Sequence, residues 1–161
     1  MLASLPRFIT LGVLVVAACA APQEDTISRT ETETPAVSFT DADFTCLREA
    51  VYYEAAANSL SGQRAVANVI LNRAEDPRFP NSVCGVVADG CQFSYRCDGK
   101  PEVFGDQVKL ANATRATEVA LANPQEDVTD GALFFHAKWM KPGWFATLRR
   151  TVALGGNIFY R

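Results

Sequence analysis

One carboxylate in this chain sits where carboxylates are expensive. In VYYEAAANSLSGQRAV (Val51–Val66) the only acid is Glu54, between two tyrosines and three alanines. The apolar positions leading into it, Phe44, Leu47, Val51 and Ala55, recur at spacings of three and four, the period of a buried helix face. Glu54 follows Val51 by three and Leu47 by seven, so it falls on that face. Glu49 lies five residues away, about 140° around the helix, and reads as an ordinary solvated acid. An ionised carboxylate on an apolar face is costly, and burial raises its pKa. A carboxylic acid held protonated near neutral pH is what a general acid in glycoside cleavage requires. The competing reading is structural: a glutamate at a helix end, satisfied by Arg73 or by a backbone cap.

The elements that must position Glu54 follow from pattern and punctuation. Asp41 or Asp43 can cap a first helix running to about Ala57. A second helix is expected over about Gly62 to Ala74. AEDPRFPNSVCG reads as loop, broken by Pro77 and Pro80. ADGCQFSYRCDGKPE reads as a glycine-rich loop. A third helix runs from about Asp106 to Ala122, stopped by Asn123-Pro124. ALFFHA reads as a short extended segment, KWMKPGW as an aromatic loop, and TLRRTVAL as either strand or helix. GGNIFYR closes the sequence.

At 161 residues the chain holds one globular domain at most, and 48% hydrophobic residues suffice for a core. A net charge of -3 gives no nucleic-acid-binding face. Residues 1–20 read as a signal peptide: Arg7, then an apolar run from Phe8 to Val16, then small residues. VAAC (Val16–Cys19) resembles the lipobox of bacterial lipoproteins, which would make Cys19 the acylated residue and anchor the chain to a membrane. ACA (Ala18–Ala20) also fits ordinary signal cleavage into the periplasm. Residues 21–38, polar and rich in Thr and Glu, read as a disordered tether, leaving 39–161 as the domain. With Cys19 set aside, Cys46, Cys84, Cys91 and Cys97 remain, an even number suited to an oxidising compartment. Of three possible pairings, the favoured one closes a short loop with Cys91–Cys97 and ties the first helix to a later loop with Cys46–Cys84. No C-x-x-C pair occurs and His136 is the lone histidine, so neither a metal site nor a zinc amidase is expected, and no cofactor is called for.

The segments CLREAVYYEAAANSLSGQRAVANVILNRAEDPRFPNSVCGVV, CQFSYRCDG, ALFFHA with KPGW, and GGNIFY, in that order, resemble the cell-wall hydrolase family of the SleB/CwlJ type, the spore-cortex-lytic enzymes. The resemblance covers about Asp43 to Tyr160. It implies a lysozyme-like α+β, mainly helical, single domain, action on peptidoglycan glycan strands, and a catalytic glutamate at the position of Glu54. The sequence departs from the pattern at Asn157, where many members carry histidine in a G-x-H-I-F-Y segment.

No second acid pairs with Glu54 on its helix, although Asp89 and Asp98 lie in the cysteine loop within conceivable reach. A single glutamate suffices for a lytic transglycosylase, where the muramic acid 6-hydroxyl replaces water; this reading is preferred over muramidase hydrolysis. A non-catalytic peptidoglycan-binding lipoprotein is the rival from another class. For substrate binding the candidates are Gln92, Phe93, Ser94 and Tyr95 of the cysteine loop, Gln63 at the start of the second helix, His136, and Trp144 of the aromatic loop, with Trp139 held in reserve. Each has a bland alternative in core packing, capping or solvation. Ala20 after Cys19, in place of aspartate, points by analogy to an outer-membrane lipoprotein facing the periplasm.

Overall fold

The computed structural model describes residues 38–55 and 59–161. The signal peptide, Cys19 and nearly all of the tether read from the sequence lie outside the described residues.

Helix α1 (Asp41–Glu54) starts one residue earlier than a cap at Asp41 would set it and three earlier than a cap at Asp43. Thr40 is the cap: its hydroxyl accepts from the Asp43 N–H, and the Asp43 carboxylate accepts from the Thr40 N–H at 2.9 Å. This reciprocal capping box satisfies two of the helix's orphan donors. α1 ends at Glu54, not near Ala57. Helix α2 (Leu60–Glu75), capped by Ser59, is buried around most of its circumference through Gln63, Ala65, Val66, Asn68, Val69 and Ile70. Helix α3 (Val83–Ala88) occupies a stretch that reads as loop in the sequence. Its Val83, Val86 and Val87 are buried against α1 and α2, and six residues are too few to show a helical period. Helix α4 (Gln107–Ala122), capped by Asp106, meets α1 and α2 through Ala113, Ala116 and Ala120, small residues that let helices approach closely.

Three short strands follow: β1 (Phe134–Ala137), β2 (Arg150–Leu154) and β3 (Asn157–Tyr160). They form an antiparallel sheet in the order β1-β3-β2, with Ala137 opposite Asn157 and His136 opposite Ile158. Of TLRRTVAL, Arg150–Leu154 is strand, while Thr147 ends the preceding 3-10 helix. The aromatic loop contains a short 3-10 helix, Gly143–Thr147.

α2 joins two cores. Val66, Ala67 and Ile70 pack with α1, α3 and α4, while Ala65 and Val69 pack with Ala132 and Phe159 of the sheet side. Polar groups of α2 hold the segment entering β1. The Asn72 amide donates to Asp127 and to the Ala132 carbonyl, each at 3.0 Å, and Asn68 accepts from the Val128 N–H at 3.3 Å. The disulfide Cys46–Cys84 ties α1 to α3, and Cys91–Cys97 closes the loop that carries the 3-10 helix Ser94–Cys97. These are the two pairs favoured from the sequence.

The β2–β3 turn, Gly155-Gly156, has φ values of 56° and 88°. Two positive φ angles in a two-residue hairpin are the signature of a turn that glycine accommodates without strain. At Gly155 there is a further reason: a Cβ there would stand 2.3 Å from the Gly62 Cα of α2. Gly155→Ala is therefore expected to destabilise the domain by about 2–4 kcal/mol, from left-handed strain plus overpacking. Chemical denaturation of the two proteins measures it, and an unchanged midpoint would refute the backbone contact.

Candidate active site

The last turn of α1 delivers Glu54 to a cavity of about 490 Å³. Four parts of the chain complete the wall. α2 supplies Arg73; the Cys91–Cys97 loop supplies Gln92 and Phe93; β1 and β3 supply Phe134, Phe135, His136, Ala137 and Asn157; and the aromatic loop supplies Met140, Pro142 and Phe145. The lining is mainly apolar with a few convergent polar groups, the composition of a small-molecule or sugar subsite.

Glu54 is half-buried, and its carboxylate has no hydrogen-bond partner among the described residues. Burial pushes its pKa up, and the Arg73 guanidinium draws it part of the way back. Arg73 is itself buried. Desolvation lowers its pKa to about 10, against the opposing pull of Asp89 and Glu54. Its Nε donates to the Leu133 carbonyl at 2.8 Å, and its guanidinium carbon lies 5.2 Å from the Phe79 ring centroid and 5.8 Å from those of Phe93 and Phe134. Aromatic faces attract a desolvated cation. The charge is thus held in place by three rings and one carbonyl, with Glu54 across the cavity from nothing stronger than this cation.

His136 is fixed by both ring nitrogens. Nδ1 donates to the Ala137 carbonyl at 2.8 Å, since a carbonyl oxygen only accepts; in the neutral ring Nε2 therefore accepts from the Tyr160 hydroxyl at 2.9 Å. Phe145 packs on the ring with centroids 4.5 Å apart. Asn157, buried beside it on β3, borders the cavity at the departure from the family pattern.

Of the residues singled out in the sequence, the structure brings together Glu54, Gln92, Phe93 and His136. It does not bring the others. Gln63 is buried behind the wall, its amide donating to the Ala55 carbonyl at 3.4 Å, and its Oε1 has no partner. From α2 it thus holds the carbonyl of the residue that follows Glu54, which makes it a support and not a lining group. Ser94 is exposed outside the cavity. Tyr95 turns the other way: it stacks on Tyr53 at 4.4 Å and donates to Glu49 at 3.2 Å. Glu49 is consequently no free surface acid, because Arg96 also pairs with it at 3.1 Å. The Trp144 side chain lies outside what the structure describes. Asp89 and Asp98 do not line the cavity. Asp89 accepts from Gln92 at 2.6 Å, and Asp98 pairs with Lys100 at 3.4 Å. Among the described residues Glu54 is the one carboxylate in the wall, and no group of three His, Cys, Asp or Glu side chains gathers as a metal site.

Sequence reasoning missed Arg73 as a site residue, naming it only as a possible partner. Its signal was present: Gln63, Val66, Ile70 and Arg73 recur at helical spacing, so an arginine, like Glu54, stands on a buried face.

The chain matches the family model described as Cell Wall Hydrolase over residues 57–160, a span that begins three residues after Glu54. A spore cortex-lytic enzyme of Halalkalibacterium halodurans is 34% identical over 128 residues, covering 80% of this chain and 37% of that protein. One from Bacillus subtilis is 45% identical over 62 residues, covering 38% and 20%. The chain spans less than half the length of these curated relatives. Among solved structures, the catalytic domain of the germination-specific lytic transglycosylase SleB from Bacillus anthracis superposes with a TM-score of 0.66 at 28% identity, covering 78% of this chain and 98% of that one. The Bacillus cereus SleB catalytic domain gives the same score and identity. The fold is the lysozyme-like α+β domain of those structures.

The raised pKa of Glu54 has a stability consequence with a definite sign. The folded state binds this proton more tightly than the unfolded state, so the ionised carboxylate destabilises the fold above its raised pKa. The penalty vanishes as pH falls through that value to the unfolded one. Glu54→Gln is expected to raise the melting temperature at neutral pH, with the gain shrinking toward pH 4. A gain that persists unchanged at acid pH would contradict a desolvated carboxylate.

Proposed function

This chain belongs to the cell wall hydrolase family, and we propose that it cleaves peptidoglycan glycan strands as a lytic transglycosylase, with Glu54 as acid and base. The observation that carries this reading is the lone, partly desolvated carboxylate in a sugar-sized cavity facing a buried arginine. Its relatives named as spore cortex-lytic enzymes, and the domain named as a lytic transglycosylase, support the substrate and the bond.

The chemistry needs Glu54 in two protonation states. As the acid it gives its proton to the glycosidic oxygen while the C1–O bond breaks. As the carboxylate it takes the proton of the muramic acid 6-hydroxyl while O6 bonds to C1, closing a 1,6-anhydro ring. The proton returns to Glu54, and no water is consumed. Burial stocks the first state; Arg73 keeps the second within reach. An inverting hydrolase would need a second carboxylate to activate water, and a retaining one a carboxylate nucleophile. Neither is found among the described lining residues. His136, Phe93 and Phe145 shape the apolar wall, and Gln92 presents an amide to sugar hydroxyls.

Asn157 favours a second reading, a peptidoglycan-binding protein without catalysis, because it borders the cavity where many relatives carry histidine. We also propose that residues 1–20 direct export and that acylation of Cys19 anchors the domain in the bacterial envelope, facing the periplasm. Several acyl chains would make the anchor stable.

Digestion of purified sacculi by the oxidised domain, with fragments weighed by mass spectrometry, tests the catalytic reading. Anhydro-muropeptides, one water lighter than hydrolysis products, are expected from the native chain. Glu54→Gln should lower the rate by about 10²–10⁴-fold. Reducing ends instead of anhydro ends would establish muramidase action, and binding without any release would establish the second reading. The alkaline limb of kcat/KM reports the pKa of Glu54 in the free protein. Replacing Arg73 by Met removes the pull toward ionisation, so that limb should move to higher pH; a shift to lower pH would remove Arg73 from the account.

A further inference from the structure

We infer that Asn157 is a specificity-determining contact of the cavity: its side-chain amide hydrogen-bonds the acetamido group of a bound sugar, so that the preferred substrate is the N-acetylated strand. This deepens the reading of the cavity as a peptidoglycan site and rests on it.

Three observations carry it. First, Asn157 lines the cavity with Glu54 yet is only 7% exposed, and its side chain makes no hydrogen bond among the described residues. The Gln63 Oε1 is also unpartnered but sealed from solvent; the Asn157 amide is not sealed and meets the cavity. A buried amide without partners is costly, and a ligand that supplies one recovers part of the cost. Second, the residue is set in place before any ligand arrives. It opens β3, opposite Ala137 of β1 and Leu154 of β2. The Gly155-Gly156 turn before it is pressed on Gly62 of α2, and the Gly156 carbonyl accepts from the Lys138 N–H at 2.9 Å. Third, the other polar lining groups are engaged or one-sided. Both His136 nitrogens have partners, the Gln92 Nε2 donates to Asp89, and Arg73 can only donate. Apart from the reacting Glu54, Asn157 is the lining side chain, among the described residues, whose donor and acceptor are both uncommitted.

An asparagine amide does not titrate, so its use here is recognition and not proton transfer. The surroundings select the group recognised. Ala137 stands opposite Asn157, and Phe135 lies two residues along β1 on the same face of the sheet; both line the cavity. The ligand group that suits this corner combines a hydrogen-bonding amide with a small apolar end. An acetamido group does so: its amide meets Asn157 while its methyl rests on the apolar wall. A sugar hydroxyl would satisfy the asparagine and leave the wall unused. The N–H and carbonyl of an acetamido group point in opposite directions, so Asn157 engages one of them and keeps the other half of its own amide for a neighbouring hydroxyl. The amide that joins a peptide stem to muramic acid has the same chemistry and is separated from the acetamido group by the choice of strands below.

The test uses Glu54→Gln protein, which holds the strand without cutting it, with and without Asn157→Leu, and isothermal titration with soluble glycan strands. Strands stripped of stems by an amidase are titrated as they are, after de-N-acetylation, and after chemical re-acetylation; stem-bearing strands are the fourth probe. Asn157→Leu removes donor and acceptor at similar volume. It is expected to weaken binding of the acetylated and re-acetylated strands about three- to tenfold and to leave binding of the de-N-acetylated strand within about twofold. The amine charge created by de-N-acetylation meets both proteins alike and cancels from the comparison. The melting temperature should not fall, because an amide without a partner is replaced by an apolar group of its own size. Asn157→Ala repeats both measurements with a smaller side chain. Equal weakening of every strand, weakening of none, weakening confined to stem-bearing strands, or a melting temperature lowered in both variants would overturn the inference. Cleavage by protein with Glu54 intact is scored separately. Acetyl-dependent binding without cleavage would fell the catalytic reading alone, cleavage indifferent to Asn157 and to the acetyl groups would fell this inference alone, and neither binding nor cleavage would fell both.

Discussion

The middle of α2 is buried around most of its circumference, and at Arg73 it leaves almost no solvent in which to rest a charge. Its Arg73 must find compensation inside the protein. Much of the domain is arranged to provide it. Phe79, Phe93 and Phe134 surround the guanidinium from three segments of the chain, the Leu133 carbonyl receives its Nε, and Asp89 and Glu54 supply negative charge. Of the groups that settle this cation, Glu54, Phe93 and Phe134 also wall the cavity. The site and the core of this protein are therefore the same construction seen from two sides.

Glu54 draws its character from that arrangement. It stands at the final residue of α1, half-buried and lining the cavity. Burial and Arg73 act on its proton in opposite directions. A carboxyl group fully buried without the cation would hold its proton too firmly to act as a base. One paired directly with an arginine in water would release it too readily to act as an acid. The separation between Glu54 and Arg73, an electrostatic coupling with no direct hydrogen bond, is what leaves both states usable.

The sequence made part of this legible. The three long helices stood out because each is long enough to repeat its period and has a polar cap or a proline stop. Glu54 stood out because a charge on an apolar stripe violates the local pattern. α3 was hidden because six residues show no period, and β2 because RTVAL suits a strand and a short helix equally. Tyr95, Ser94 and Gln63 are harder lessons. Proximity in sequence to the cysteine loop or the helix end says nothing of which way a side chain turns, and the ring of seven residues sends Phe93 toward the cavity and Tyr95 toward Tyr53 and Glu49. Arg73 went unassigned because a single buried cation reads as structural until its neighbours are known.

The two disulfides both fall between Cys46 and Cys97, and none reaches the sheet. Mechanically, this gives the cavity one jaw that is stapled and one that is hung. The Gln92-Phe93 side sits in a covalent ring that keeps its circumference whatever load it bears. The Lys138–Pro142 side is suspended from backbone hydrogen bonds to the sheet, which lengthen and re-form at small cost. A taut polymer drawn across this cleft would shift the hung jaw first. Accommodation to strands of different width then falls to the sheet side, while the distance from the cysteine ring to Glu54 stays set by α1 and its bond to α3.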